Sequence, residues 1–246
     1  MKSKTLVILI LAVFLCALVT ARAQKKEKPW TEWSKKEAEK ILNDSPWAQT
    51  QTDTDTSQQF YTPTSDPNLG ARKTDTTDSR IAQGATNQAI NVTYRVRFFS
   101  ARPIREAHVR LMELQQKPSP DVEERLRNFA EVQSTNSIIV TVSCESNDQR
   151  YLGPVMQAFN SAVTATLKSN AYLERNDGKR LFLEEYVPPG KDGFGARFIF
   201  LRNPEEQPFI TEKTTDVRFV AQYSSAIKID RRFKLADMKY NGALEY

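Results

Sequence analysis

Histidine, cysteine and glycine are scarce in this chain, whose 246 residues include one His, two Cys and eight Gly. A metal site with two or more histidine ligands is therefore excluded, and so are cysteine-rich zinc modules and disulfide-dense scaffolds. Hydrophobic residues make up 39% and charged residues 26% of the chain, which is typical of a soluble globular protein and too polar for a multispanning membrane protein.

The N-terminus has the pattern of a secretory signal peptide over residues 1–23. Lys2 and Lys4 precede an apolar run over residues 6–19, and Ala21-Arg22-Ala23 supplies small residues at the spacing that signal peptidase reads. The apolar run is too short to span a bilayer comfortably, so we expect cleavage before Gln24 and no transmembrane span after processing. The sequence therefore predicts an exported protein, either periplasmic or extracellular.

Processing changes both the charge and the cysteine inventory. Removal of residues 1–23 takes away three cations and no anions, which lowers the formal net charge from +5 to +2. The remaining cations are dispersed along the chain, so we expect no nucleic acid partner. Cys144 becomes the single cysteine, and a packed core has to replace disulfides as the source of stability.

Residues 24–48 are predicted to form a helical arm that carries all three tryptophans. Ser34 and Glu37 have the spacing of a capping box, and the helix that follows places its apolar side chains on one face. A helix of about two turns is unstable alone in water, so it has to dock on another surface. Two interpretations are open: the arm packs on its own domain, or it binds an envelope or extracellular protein partner. The partner-docking residues predicted by the second interpretation are Trp30, Trp33, Ile41, Leu42 and Trp47.

Residues 49–88 are predicted to be a disordered linker, and residues 89–246 a folded α+β domain. The linker is rich in Thr, Gln and Asp, and it has too little apolar surface to offset the entropy of ordering. In the domain, the pattern predicts a strand, two helices, a strand, a third helix over about 154–167, and then several hairpins. This order is typical of an α+β fold with about three helices and one antiparallel or mixed sheet.

His108 and Cys144 are the two residues that nucleophilic or acid–base chemistry would need first. His108 has a functional interpretation, as a general base or one ligand of a metal, and a structural one, as a partly buried helix residue beside Ile104 and Leu111. The structural interpretation is favoured. Cys144 alternates with aliphatic residues along its strand, which indicates a small buried hydrophobic residue more than a thiol nucleophile.

Three further sequence patterns are weaker indications of a functional site. The glycines of residues 190–195 lead into a strand, so they predict a hairpin turn in place of a phosphate-binding loop. The carboxylate pairs Glu184-Glu185 and Glu205-Glu206 cannot be matched to partners from the sequence. Neighbouring arginines indicate a local basic patch made of Arg95, Arg97, Arg102, Arg105 and Arg110.

The Trp segment also carries a family resemblance. Trp30-x-x-Trp33-Ser34-x-x-Glu37-Ala38-Glu39-x-Ile41-Leu42, followed by Ser45-Pro46-Trp47-Ala48, resembles a family of exported bacterial proteins of unknown function. The chain lacks the Gly-Trp-x-Thr-Asp motif by which some such proteins are labelled. The resemblance implies a bacterial envelope or secreted location and brings no activity with it.

Together these patterns favour a non-catalytic binding or structural module with a Trp-anchored docking arm. The catalytic residues stay unknown, and no cofactor or metal is predicted. The alternative is a secreted hydrolase that uses carboxylates, with or without a divalent cation.

We expect the mature protein to begin at Gln24, because the small residues Ala21 and Ala23 occupy the positions that signal peptidase reads. Intact mass measurement of protein from fractionated cells tests this. A variant with Ala21→Arg and Ala23→Arg serves as the control and should accumulate as the uncut precursor. Recovery of the wild-type chain from the cytosol with residues 1–23 attached would contradict the prediction.

Overall fold

The computed structural model describes residues 28–55, 90–132 and 136–246. The predicted signal peptide over 1–23, the first residues of the predicted arm and residues 56–88 of the predicted linker lie outside the described residues. The chain divides into two compact units, Met1–Trp33 and Ser34–Tyr246.

The described part of the first unit is short. It contains one 3-10 turn at Trp30–Glu32, and the indole Nε1 of Trp33 donates a hydrogen bond to the carbonyl of Lys28 at 3.2 Å. The side chains of Trp30 and Trp33 are buried.

The second unit has an α+β architecture, as predicted. Its α-helices among the described residues are α1 (Lys35–Asn43), α2 (Arg102–Gln116), α3 (Pro120–Glu131), α4 (Gln149–Ser161) and α5 (Thr164–Leu167). Its strands are β1 (Ala48–Asp55), β2 (Ile90–Phe98), β3 (Ser137–Ser146), β4 (Ala171–Arg175), β5 (Arg180–Phe182), β6 (Glu185–Val187), β7 (Ala196–Leu201), β8 (Asp216–Gln222), β9 (Lys228–Lys234), β10 (Lys239–Tyr240) and β11 (Ala243–Leu244). No helix within the described ranges combines the length and the apolar character needed to cross a bilayer.

The strands form two main sheets and a small hairpin. The larger sheet has the order β1-β2-β3-β7-β6, the second has the order β5-β4-β8-β9, and β10 pairs with β11. Every strand pair among the described residues is antiparallel. The α+β class with an antiparallel sheet is thus confirmed, but there are two main sheets where we expected one.

The extra sheet arises inside residues 179–187, which lie in the region where the sequence predicts several hairpins. The amide of Leu183 bonds to Ala171 at the edge of β4, whereas the amide of Glu184 bonds to Ile199 of β7. Because two adjacent residues bond to different sheets, the segment breaks into β5 and β6.

The core lies between the inner faces of the two sheets. Phe98 of β2 meets Phe233 of β9 with ring centroids 4.8 Å apart, and Phe198 of β7 meets Phe219 of β8 at 5.0 Å. All four rings are fully buried. These edge-to-face contacts between large buried aromatic rings help to hold the two sheets together.

Strand β1 corrects the predicted linker, which is wrong for residues 49–55. The strand pairs with β2 from Ala48 opposite Arg97 onward, although it contains almost no apolar side chain. Its order comes from tertiary hydrogen bonds: the side-chain amide of Gln51 donates to Lys228 O at 2.8 Å and accepts from Asp230 N at 2.8 Å. A strand stabilised by backbone pairing and side-chain amides needs no hydrophobic pattern.

The helices follow their sequence signals with one exception. The capping box of α1 is present, since Glu37 N donates to Ser34 Oγ and Ser34 N donates to Glu37 Oε2. The predicted third helix is displaced and divided, because Asp148 caps α4 ahead of the expected start at Pro154. Extended backbone at Ala162 and Val163 then separates α4 from α5.

Gly195 is the glycine that the β6–β7 hairpin requires, and we expect Gly195→Ala to destabilise the protein strongly. Its φ is +81°, and a Cβ atom there would lie 2.2 Å from the backbone oxygen of Val142. We expect a loss of about 3 kcal/mol or more in the free energy of unfolding, measured by denaturant titration.

Gly178→Ala is the matched control, because Gly178 has a similar φ of +83° but open space around its Cβ position. It should lose only about 1 kcal/mol, the cost of the left-handed backbone alone. Equal losses in the two variants would show that the contact with Val142 has no effect.

Candidate functional site

A cavity of about 550 Å³ lies where α2, α3 and the β6–β7 loop meet, and we call it the outer cavity. Its volume falls within the range of small-molecule sites. Its walls are mainly apolar. They are formed by His108, Leu111, Met112, Gln115 and Gln116 of α2, Leu126 and Phe129 of α3, and Lys191, Asp192, Gly193 and Phe194 of the loop.

Ion pairs and a hydrogen bond within the loop hold these walls in place. Arg127 of α3 reaches Glu113 of α2 at 3.4 Å, which ties the two helices together. The amide of Phe194 donates to Asp192 Oδ1 at 3.1 Å, and Asp192 also pairs with Arg197. The loop is therefore anchored to β7 through Arg197.

His108 projects from α2 into aromatic surroundings. Its ring centroid lies 4.1 Å from that of Phe194 and 6.5 Å from that of Phe99. Burial lowers the pKa of His108 to about 4, while Asp192 acts in the opposite direction and Arg97 adds to the lowering. The imidazole is thus neutral at neutral pH.

A second, smaller space of about 70 Å³ adjoins the outer cavity, and we call it the inner chamber. Its lining residues are Leu42, Arg97, Phe99, Ile104, His108, Thr141, Gly193 and Phe194. The two spaces share His108, Gly193 and Phe194, so those residues form the boundary between them.

Arg97 and Thr141 are the polar side chains at the sheet side of the inner chamber. They lie directly opposite each other on β2 and β3, and Thr141 lies opposite Arg197 on β7. Opposed residues of antiparallel strands project from the same face of the sheet. A row of three polar side chains therefore crosses the outer face of the larger sheet, opposite the core face.

Arg97 is held by neutral partners. It donates to Leu42 O at 2.6 Å, to Ser143 Oγ at 2.9 Å and to Asn43 Oδ1 at 3.2 Å. Burial lowers the pKa of Arg97 to about 10, Arg95 lowers it further, and Glu145 acts against both. The guanidinium is still charged at neutral pH, and no carboxylate of the described residues forms an ion pair with it.

Thr141 is almost completely enclosed, with 1% of its surface exposed. Its Oγ1 has no hydrogen-bond partner among the described residues. A buried hydroxyl without a partner costs free energy. A ligand group that forms a hydrogen bond with this atom would remove that cost.

The other arginines of the predicted basic patch do not form an open cationic surface. Arg95 pairs with Glu145, Arg102 with Glu106 and Arg110 with Glu113. Arg105 is buried and donates to the carbonyls of Ser100 and Ala130. In this group, Arg97 is the residue that lines a cavity without a carboxylate beside it.

Cys144 lies on the core face of β3, three residues from Thr141 and on the opposite side of the sheet. Its Sγ is 3.5 Å from the Sδ of Met156, and burial raises the pKa of the Cys144 thiol to about 11. Because the larger sheet separates Cys144 from His108, the two side chains cannot act as a dyad.

The predicted carboxylate pairs do not converge on a site. Glu184, Glu185, Glu205 and Glu206 are all exposed. In the part of the chain that the structure describes, no group of three or more His, Cys, Asp or Glu side chains is placed to hold a metal ion. Among the described residues these four carboxylates therefore do not form the converging pair that the hydrolase alternative would use.

The predicted docking residues of the second unit are used within that unit. Trp47 is 7% exposed, its Nε1 donates to Glu245 O at 2.9 Å, and its ring meets Tyr240 edge-on. Ile41 and Leu42 are half-buried and pack against the core, and Leu42 also lines the inner chamber. For these three residues the contacts favour packing on the domain, while docking of Trp30 and Trp33 on a partner stays a prediction.

Sequence reasoning singled out His108 but missed Thr141 and Phe194 as lining residues. Thr141 had a usable signal, because it is a polar residue in the middle of a strand that is otherwise apolar on both faces at its start. Phe194 had none, since its position at the boundary depends on how the hairpin folds over α2.

No protein-family model, no curated protein and no solved structure shows a significant match to this chain. The resemblance carried by the Trp segment accordingly stays a prediction, and the cavity has to be interpreted from its own chemistry.

We expect His108→Gln to flatten the acid dependence of stability. The unfolded chain takes up a proton at His108 near pH 6.5, whereas the folded chain resists it until about pH 4. Stability is therefore lost as the pH falls through this window, and the histidine contributes up to about 3 kcal/mol of that loss.

Denaturant titrations of both proteins at about pH 7 and about pH 4 measure the effect. The carboxylates are common to the two chains, so the difference between them isolates His108. Parallel curves would contradict the burial of a neutral imidazole.

Proposed function

We propose that the protein is an exported, non-catalytic binding module that takes one small apolar or amphipathic molecule into the outer cavity. The single observation that carries this proposal is the cavity itself, with a volume of about 550 Å³ and mainly apolar walls. Sites of this size with a few polar groups at one end are typical of small-molecule binding.

The wall chemistry supports binding over reaction. Leu111, Met112, Leu126 and Phe129 offer apolar contact, and Phe129 keeps 41% of its surface exposed at the edge of the cavity. When a ligand covers apolar side chains that are exposed to water, the removal of apolar surface from water favours binding. The described residues place no activated nucleophile or convergent carboxylates beside these side chains.

The exported location in this proposal rests on the sequence pattern of residues 1–23. Such a location would expose the cavity to the molecules of the envelope or the medium. Trp47, Ile41 and Leu42 already pack within the domain, so this proposal assigns them no protein partner.

We expect the wild-type protein to bind one molecule of N-phenyl-1-naphthylamine, a neutral apolar dye, with a saturable rise in fluorescence. Leu111→Glu should weaken this binding at least about tenfold, because a carboxylate in the cavity wall has to be desolvated when the dye enters.

Leu114→Glu is the matched control. It introduces the same charge on the same helix at a residue that is 39% exposed and does not line the cavity. Melting curves of both variants check that they fold. The proposal fails if the folded wild-type protein shows no saturable binding, or if the two variants bind the dye equally.

A further inference from the structure

We propose that the inner chamber is a carboxylate-binding subsite, so that the ligand is a single-chain carboxylic acid with its head on Arg97 and Thr141 and its apolar tail in the outer cavity. This inference rests on the function proposed above and deepens it, because it names the chemical class of the ligand.

The charge at Arg97 is the first support. Its guanidinium is partly withdrawn from water, and its three recorded partners are two uncharged side chains and a carbonyl. A guanidinium has five N–H groups, so two donors are left for a ligand. Placing a monoanion beside this cation would supply the counter-charge that the described residues do not provide.

The hydroxyl of Thr141 is the second and independent support. Thr141 is nearly fully buried, lines the chamber, and has no partner for Oγ1 among the described residues. A carboxylate has two acceptor oxygens, so one can accept from Arg97 and the other from Thr141. Cross-strand opposition of the two residues places both donors on one wall of the chamber.

The next strand continues the same row. Arg197 lies opposite Thr141 on β7, and its Nε also has no hydrogen-bond partner among the described residues. Its charge is already matched, because it pairs with Asp192. Among the described residues that line the chamber, Arg97 is therefore the one cation without a paired carboxylate, which fits a monoanion better than a phosphate dianion.

The sizes of the two spaces assign the head and the tail. About 70 Å³ admits a few water-sized groups, which suits a carboxylate and excludes a long chain. The outer cavity is about eight times larger and is mainly apolar. A molecule that occupies both spaces passes the shared boundary of His108, Gly193 and Phe194. The rings of His108 and Phe194 offer it apolar contact there.

The test compares dodecanoate with dodecanol, which have the same tail and different heads. Dodecanoate is titrated against dye-loaded protein below its micelle-forming concentration and dodecanol below its solubility limit, both at about pH 8, where the acid is ionised. We expect wild-type protein to bind dodecanoate at least about tenfold more tightly than dodecanol, since a charge-assisted hydrogen bond exceeds a neutral one.

Two variants probe the head subsite. Arg97→Gln should reduce the preference for dodecanoate over dodecanol to about twofold or less, because it removes the charge. Thr141→Val keeps the shape of the side chain, and Oγ1 has no described partner to lose, so this variant should fold normally. It should weaken dodecanoate binding about five- to tenfold and leave dye binding unchanged.

Arg95→Gln is the matched control for the charge. Arg95 lies two residues before Arg97 on β2 and pairs with Glu145, and it does not line the chamber. This variant should retain the wild-type preference for dodecanoate.

The outcomes separate the two proposals. If the dye fails to bind folded wild-type protein, the binding function itself is overturned. If the dye binds but dodecanoate and dodecanol bind alike, the carboxylate subsite is overturned and the apolar cavity stands. Retention of the preference in both Arg97→Gln and Thr141→Val, or tighter binding of dodecyl phosphate than of dodecanoate, would also overturn the subsite.

Discussion

The alternation of side chains along β2, β3 and β7 is the constraint on which the rest of the structure depends. Successive residues of a strand point to opposite faces, so one face supplies Phe98, Val140 and Phe198 to the core. The other face then has to carry the residues in between, which are Arg97, Thr141 and Arg197. The polar row behind the inner chamber is a direct consequence of the strands that build the core.

The elements that cover this polar face determine which groups line the inner chamber. Helix α1 caps the guanidinium of Arg97 with backbone and amide oxygens, while α2 and the β6–β7 loop bring His108 and Phe194 over the chamber. Neighbouring arginines are neutralised by glutamates, so the unpaired charge stays local. A partly buried cation next to a buried hydroxyl is energetically costly, and the anion proposed above would offset that cost.

The parts of the fold that could be predicted are those with a local physical signal. The alternation of apolar and polar residues predicts strand β2, and the capping box of Ser34 and Glu37 predicts the start of α1. Strand β1 could not be predicted in this way, because its order comes from pairing with β2 and from the contacts of Gln51 with β9. The break between Leu183 and Glu184 is equally hidden, since it depends on which sheet lies beside each residue. Of the candidate site, His108 was visible as the single histidine, whereas its pairing with Phe194 was not.

By itself, the sequence determined which chemistry is excluded and which faces of the helices and strands are apolar. One histidine, one cysteine after the predicted processing and a period-two pattern in the strands are properties of composition and local order. The tertiary structure alone decided that two sheets share the core, that Cys144 and Thr141 lie on opposite sides of β3, and that Arg97 lines the inner chamber. The physical reason is that burial, pKa and hydrogen-bond satisfaction are set by neighbours distant in the chain, and those neighbours are brought together only when the sheets pack.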